Sequence, residues 1–178
     1  MTTFVFGYGS LLRRPDGIPC RLLGHRRAWN VAMDNRRTIP GYKYYVDPDT
    51  GERPPVRVTF LNLYPAAEGR VNGVAFPVTA QDLEELDRRE RNYDRIEVTR
   101  SVDAGLGGTV WTYLGSEAAR ERFATGPAVV AQDYFDAIRA GFTAAGGLDA
   151  FDRSTDPLTV PLRRLTRVDV PPPPPAPR

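Results

Sequence analysis

The sequence predicts an α+β fold, because strand patterns recur along the chain and helical patterns fall into three segments. Apolar or alternating runs are typical of strands, and a stripe that repeats every three to four residues is typical of a helix. The expected strands are Phe4–Phe6, Leu22–Met33 with a bulge at Gly24, Val56–Leu61, Val71–Val78, Tyr93–Val98 and Thr109–Leu114. The expected helices begin after Thr79, at Ser116 and near Ala131, and the last of them ends at Gly146-Gly147.

Size and composition indicate one globular domain followed by a tail. The chain has 178 residues, of which 41% are hydrophobic and 26% are charged, and this is enough to form one sizeable core. We expect a domain over residues 1–170 and a proline-rich, solvated tail over residues 171–178.

Net charge indicates which kinds of partner the protein binds, and cysteine content indicates the redox state of its compartment. The formal net charge is only +2, which indicates neither a nucleic-acid partner nor an anionic membrane surface. Cys20 is the only cysteine, and no secretory leader or long apolar run is evident. We therefore expect a protein of the reducing cytoplasm, present as a monomer or a homodimer.

The first strand runs into a bend bounded by two glycines. Gly7 and Gly9 flank Tyr8 and allow a sharp turn with close approach of a ligand. Successive N–H groups in such a bend favour an anion or a developing oxyanion, and Ser10 adds a hydroxyl. The alternative interpretation is a strand that simply ends in a tight turn.

The helix after Thr79 has clear signals at both ends. Thr79 and Asp82 form a variant of the capping box, and Val78 and Leu83 are spaced as a hydrophobic staple. Asn92, which tolerates a left-handed backbone, is the expected stop.

One acidic residue of this helix is placed toward the interior. At about 100° per residue, Leu83, Leu86 and Glu90 share one stripe. A carboxylate there is costly unless it is paired or faces a cleft, so Glu90 is a candidate acid or base. The alternative is a frayed last turn in which Glu90 pairs with Arg91 or Arg95.

Residues 35–55 form a long segment between two turn clusters, with Tyr42, Tyr44 and Tyr45 between them. Such a loop is either a packed surface flap or a lid over a site, and its aromatic content favours the lid.

The sequence lacks the residues that other kinds of catalytic site require. His25 is the only histidine, and a Cys20–His25 nucleophilic pair lacks a third partner. Zinc-ligand spacing, a dinucleotide fingerprint and a P-loop lysine are also missing, so no metal or other cofactor is expected.

Two segments together resemble the gamma-glutamylcyclotransferase superfamily, which includes AIG2-like and ChaC-like proteins. They are Phe6-Gly7-Tyr8-Gly9-Ser10-Leu11 and Leu86-Asp87-Arg88-Arg89-Glu90-Arg91-Asn92-Tyr93. The resemblance implies a mixed, mostly antiparallel and partly closed sheet or barrel with packed helices. It also implies a catalytic Glu90 and a substrate-binding set, which consists of Phe6, Gly7, Tyr8, Gly9, Ser10, Leu11, Tyr93 and Tyr134.

The reaction implied by the resemblance closes a γ-glutamyl group to 5-oxoproline and releases an amine, amino acid or peptide. The implied partner is therefore a small γ-glutamyl compound, with glutathione metabolism as one setting. Two alternatives remain open. One is a non-catalytic protein that binds a small molecule in the same pocket, and the other is a cyclotransferase that trims a biosynthetic intermediate.

Overall fold

A computed structural model describes residues 2–173 and confirms the α+β fold. Its strands are β1 Thr3–Gly7, β2 Ile18–Asp34, β3 Lys43–Val46, β4 Arg57–Val78, β5 Tyr93–Glu97, β6 Thr109–Gly115, β7 Ala128–Ala131, β8 Leu162–Arg163 and β9 Thr166–Asp169. Its α-helices are α1 Ala80–Arg89, α2 Glu117–Ala124, α3 Gln132–Ala144 and α4 Leu148–Arg153, with 3-10 turns at Ser10–Arg13 and Thr99–Ser101.

The long strand β4 organises the main sheet. It pairs antiparallel with β2 from Arg57 to Ala75 and antiparallel with β1 from Val74 to Val78. At its other end, Arg57 and Val58 pair parallel with β7. Because β2 pairs with one edge of β4 near both of its ends, β1 and β7 lie on the other edge. There β7 pairs with the start of β4 and β1 pairs with its end. This leaves the middle of that edge without a neighbouring strand, and a cavity forms beside it.

The remaining strands make the sheet mixed. The order across the sheet is β5-β6-β1-β4-β7-β8, with β1 parallel to β6 and β7 parallel to β8. The strands β3 and β9 form a separate antiparallel pair. The parallel pairings are thus β1 with β6, β4 with β7 and β7 with β8, and the other pairings are antiparallel.

Two strands expected between residues 56 and 78 are one continuous strand. The register between β2 and β4 shifts between Leu23 and His25, and Gly24 has a left-handed φ of 72° there. This confirms the expected bulge. A Cβ at Gly69 would lie 2.1 Å from the carbonyl oxygen of His25, so glycine allows the two strands to remain in close contact at the bulge.

The start of α1 is confirmed and its expected stop is wrong. Thr79 and Asp82 form a reciprocal capping box, and Leu83 packs with Val78 on a core cluster of β1, β4 and β6 residues. The helix ends at Arg89 with Glu90 as its cap, and no non-glycine residue from 2 to 173 has positive φ. Asn92 is instead buried and acts through its side chain.

The chain end contributes more structure than the sequence indicates, because α4, β8 and β9 lie beyond the last predicted element. The predicted tail begins at Pro171, and its residues 174–178 lie outside the described residues. Within the part of the chain that the structure describes, no helix is long and apolar enough to cross a membrane.

Candidate active site

A cavity of about 560 Å³ lies beside the open edge of β4, within the size range of small-molecule sites. All of the predicted site residues except Gly7 line it: Phe6, Tyr8, Gly9, Ser10, Leu11, Glu90, Tyr93 and Tyr134. The fold therefore brings the bend after β1, the end of α1 and the start of α3 to one place.

Gly7 supports the bend from behind. A Cβ at Gly7 would lie 2.7 Å from Cβ of Leu11, and a Cβ at Gly73 would lie 2.4 Å from the Gly7 carbonyl oxygen. Such contacts are too short for any side chain. Gly7 therefore acts by letting the 3-10 turn fold back on β1, and it does not line the cavity.

Buried donors fix the carbonyl groups of the bend. Thr112 Oγ1 donates to the Phe6 carbonyl at 2.9 Å, and Nε of Arg27 donates to the Tyr8 carbonyl at 2.9 Å. The Leu12 N–H bonds to the Gly9 carbonyl at 3.0 Å. The N–H groups of Ser10 and Leu11 begin the 3-10 turn, where a helix offers no internal acceptor. They are therefore suited to an anion in the cavity.

Glu90 caps the C-terminal end of α1 and lines the cavity. Its side chain is only 19% exposed, and Oε1 accepts from Arg89 at 3.0 Å. Burial is the largest cause that raises the pKa of Tyr8 and of Tyr93, and the charge of Glu90 contributes to both shifts. The carboxylate is thus electrostatically coupled to the phenols of the cavity.

The alternative interpretation, in which Glu90 pairs with Arg91 or Arg95, is wrong, because the ion-pair partner is Arg89. Arg95 instead pairs with Asp87 at 3.0 Å. Arg91 donates to the carbonyl groups of Arg88 and Pro40.

Tyr93 and Tyr134 supply the hydrogen bonds that a missing strand would make to β4. The Tyr93 hydroxyl donates to the Leu61 carbonyl at 2.7 Å, and the Leu61 N–H donates to the Tyr134 hydroxyl at 3.4 Å. Tyr134 also packs edge-on against Phe60, with ring centroids 5.3 Å apart. The two tyrosines are therefore fixed walls of the cavity.

A third wall comes from the β3–β9 pair. The sequence placed Tyr42 and Tyr45 in a candidate lid, and it indicated neither the pairing with β9 nor the role of Lys43. The cavity-lining residues of this wall include Tyr42, Lys43, Tyr45 and Arg167. Buried Asn92 fastens this wall, because its Nδ2 donates to the Tyr42 hydroxyl at 2.9 Å. The only lysine of an arginine-rich chain was the available signal for this wall.

The 35–55 segment thus forms a strand-paired wall through β3 and a turn at Asp47–Gly51. Its proposed action as a lid stays a prediction. Tyr45 is 4% exposed, and its backbone exchanges hydrogen bonds with the Asn35 side chain, which ties the segment to the core.

The residues considered for other chemistries lie elsewhere. Cys20 is buried, His25 Nδ1 contacts the Leu23 carbonyl at 3.0 Å, and neither lines the cavity. Among residues 2–173, no three His, Cys, Asp or Glu side chains form a group able to hold a metal ion.

Comparisons with known proteins identify the family and the fold. Residues 5–135 match the family described as gamma-glutamyl cyclotransferase, AIG2-like. A search of curated protein sequences finds no significant match.

Solved structures share the fold at low sequence identity. A structure named gamma-glutamyl cyclotransferase is 16% identical with a TM-score of 0.53, over 92% of this chain and 94% of that one. The uncharacterized protein loc79017 from Homo sapiens is 19% identical with a TM-score of 0.56, over 89% of this chain and 90% of that one. YkqA from Bacillus subtilis is 17% identical with a TM-score of 0.54, over 85% of this chain and 53% of that one.

These structural likenesses establish the fold, and the family match covers most of the sequence. Because the match runs from residue 5 to residue 135 of 178, the chain belongs to the AIG2-like gamma-glutamyl cyclotransferase family.

Proposed function

We propose that the protein is a gamma-glutamyl cyclotransferase that converts a γ-glutamyl compound to 5-oxoproline and a free amine. The observation that carries the proposal is the placement of Glu90 in one cavity with the bend after β1. A carboxylate that can exchange protons and a row of N–H donors are what this cyclisation requires.

The reaction is an intramolecular acyl transfer. The neutral α-amine attacks the γ-carbonyl carbon, so the lactam C–N bond forms and the bond to the leaving nitrogen breaks. In our proposal Glu90 accepts the proton of the attacking amine and returns it to the leaving nitrogen. Protons therefore balance without any co-reactant.

The rest of the cavity holds the substrate in a folded conformation. In our proposal the Ser10 and Leu11 N–H groups, at the start of the 3-10 turn that lines the cavity, bind the glutamyl carboxylate. Other donors of the bend stabilise the developing oxyanion. Tyr93 and Tyr134 limit the space beside them, because both hydroxyls are held on Leu61. Holding the reacting atoms close together provides much of the expected acceleration.

The test is release of 5-oxoproline by purified protein from glutathione, γ-glutamyl dipeptides and γ-glutamyl alkylamines. We expect release from at least one of these and its loss in Glu90→Gln. Glu84→Gln is the matched control, because Glu84 is exposed on the same helix and does not line the cavity.

No release from any compound contradicts the proposal, as does full activity of Glu90→Gln. Tight binding of a γ-glutamyl compound without turnover favours the alternative of a small-molecule binding protein. Turnover restricted to a larger γ-glutamyl intermediate favours a biosynthetic role. We also propose that the partner is a small γ-glutamyl compound. We place the protein in the cytosol, because its single cysteine fits a reducing compartment.

A further inference from the structure

Lys43 is an unusual residue of the cavity wall. It is the only lysine in the chain, and it lies in β3, partly buried, among the cavity-lining residues. Its Nζ lies 4.5 Å from the ring centroid of Phe60 and 5.4 Å from that of Tyr42. Two aromatic faces therefore hold the ammonium in position.

The neighbouring cations have partners that Lys43 lacks. Arg89 pairs with Glu90 at 3.0 Å, and Arg167 pairs with Asp169 at 2.6 Å. Arg91 donates to two backbone carbonyls. Within residues 2–173, no carboxylate lies within 4.0 Å of the Lys43 ammonium.

A partly buried ammonium without a counter-ion carries an electrostatic cost. Burial, followed by the charge of Arg167, lowers the pKa of Lys43 to about 8. An anion that enters the cavity beside Lys43 removes that cost, because the ammonium then gains the partner that the protein does not provide.

The anion in question is distinct from the carboxylate of the glutamyl group. In the proposed function that carboxylate binds at the bend after β1, whereas Lys43 belongs to the β3–β9 wall. A cation in a separate wall indicates a second permanent negative charge on the substrate. Before the reaction begins, the leaving side of a γ-glutamyl compound is the part that can carry this charge, because the γ-carbonyl is then neutral.

Building on the proposed cyclotransferase function, we propose that Lys43 binds a carboxylate on the leaving amine and so selects its class. The preferred substrates are then γ-glutamyl amino acids and peptides, and γ-glutamyl alkylamines are poor substrates. Lys43 acts in this proposal as a specificity residue, and proton transfer remains with Glu90.

The test compares γ-glutamyl-alanine with γ-glutamyl-alaninamide, which differ only in the charge of the leaving group. We expect wild-type kcat/KM to favour the acid by at least about tenfold, the usual scale for one charged hydrogen bond. Lys43→Met should remove this preference, mainly through KM for the acid. Lys43→Arg should retain most of it, because the cation remains, and thermal melts show that both variants fold.

Equal wild-type kcat/KM for the two compounds overturns the proposal. A parallel loss for both compounds in Lys43→Met also overturns it, since Lys43 would then serve the glutamyl group common to both. If wild-type protein releases no 5-oxoproline, calorimetric binding of the same pair answers the question. An affinity preference for the acid that disappears in Lys43→Met supports the anion site while the cyclotransferase proposal fails, and equal affinities refute both.

Discussion

Replacing Arg27 by methionine removes a fully buried guanidinium that holds the bend after β1. Arg27 Nε donates to the Tyr8 carbonyl at 2.9 Å, and Nη1 donates to Ser154 Oγ at 2.7 Å and to Asn72 Oδ1 at 3.2 Å. Nη2 donates to the Asn72 carbonyl. Methionine has similar length and no donors, so all of these acceptors lose their partner.

The expected loss in the free energy of unfolding is the difference between lost hydrogen bonds and a relieved burial cost. Each hydrogen bond from a charged donor contributes about 1.5–3 kcal/mol. Methionine avoids the cost of burying a cation that has no carboxylate partner among residues 2–173. The guanidinium also stacks on Phe142 and Phe151, at 4.8 Å and 4.9 Å from their ring centroids. We expect a net loss of about 3–5 kcal/mol in the free energy of unfolding, equivalent to about 10 °C in Tm for a chain of this size.

Arg26→Met is the matched control. The Arg26 side chain is 35% exposed and pairs with Asp156 at 3.1 Å, so its loss should cost less than about 1 kcal/mol. Urea unfolding followed by circular dichroism gives both values. Equal destabilisation by the two variants would refute the reasoning, because the buried contacts would then contribute no more than the surface pair.

Three further predictions concern the helix cap, the bend and pH. Thr79→Ala should lower the free energy of unfolding by about 1 kcal/mol in urea titrations, since the capping box is lost; an unchanged midpoint contradicts this. Gly7→Ala should abolish 5-oxoproline release, whereas Gly105→Ala, which has open space around it, should not; equal activities would show that Gly7 is not needed. The kcat/KM preference for a leaving carboxylate should fall as pH rises through about 8, because Lys43 loses its charge there; a flat preference from pH 6.5 to 9.5 opposes this. The charged groups that act on Lys43 are Arg167, Asp169, Arg89 and Glu90.

Features set by local geometry were predictable from the sequence. Leu83, Leu86 and Glu90 are the residues of the stretch from 81 to 90 that are not fully exposed, as the helical stripe indicated. The capping box at Thr79 was equally clear, because its partners lie three residues apart.

Features set by distant pairing were not predictable. The β3–β9 wall joins Tyr44 to Val168 and Tyr45 to Arg167, and no local pattern encodes such a match. The position of Lys43 in the cavity wall was therefore not predicted from the sequence.

Asn92 shows how a local propensity is overridden by tertiary contacts. Its amide bridges Tyr42 and Arg122, at 2.9 Å and 2.8 Å, so burial and hydrogen bonding decide its position. The left-handed cap that its residue type favours is not formed.

The most direct measurement of the central claim is the turnover number of Glu90→Gln with the best γ-glutamyl substrate, beside its calorimetric affinity. Loss of a positioned acid–base group should lower kcat by about 10²–10⁴-fold and leave substrate affinity within a few-fold, while Glu84→Gln remains at the wild-type value. A Glu90→Gln variant with wild-type kcat would contradict the account, since proton transfer would then not depend on this carboxylate.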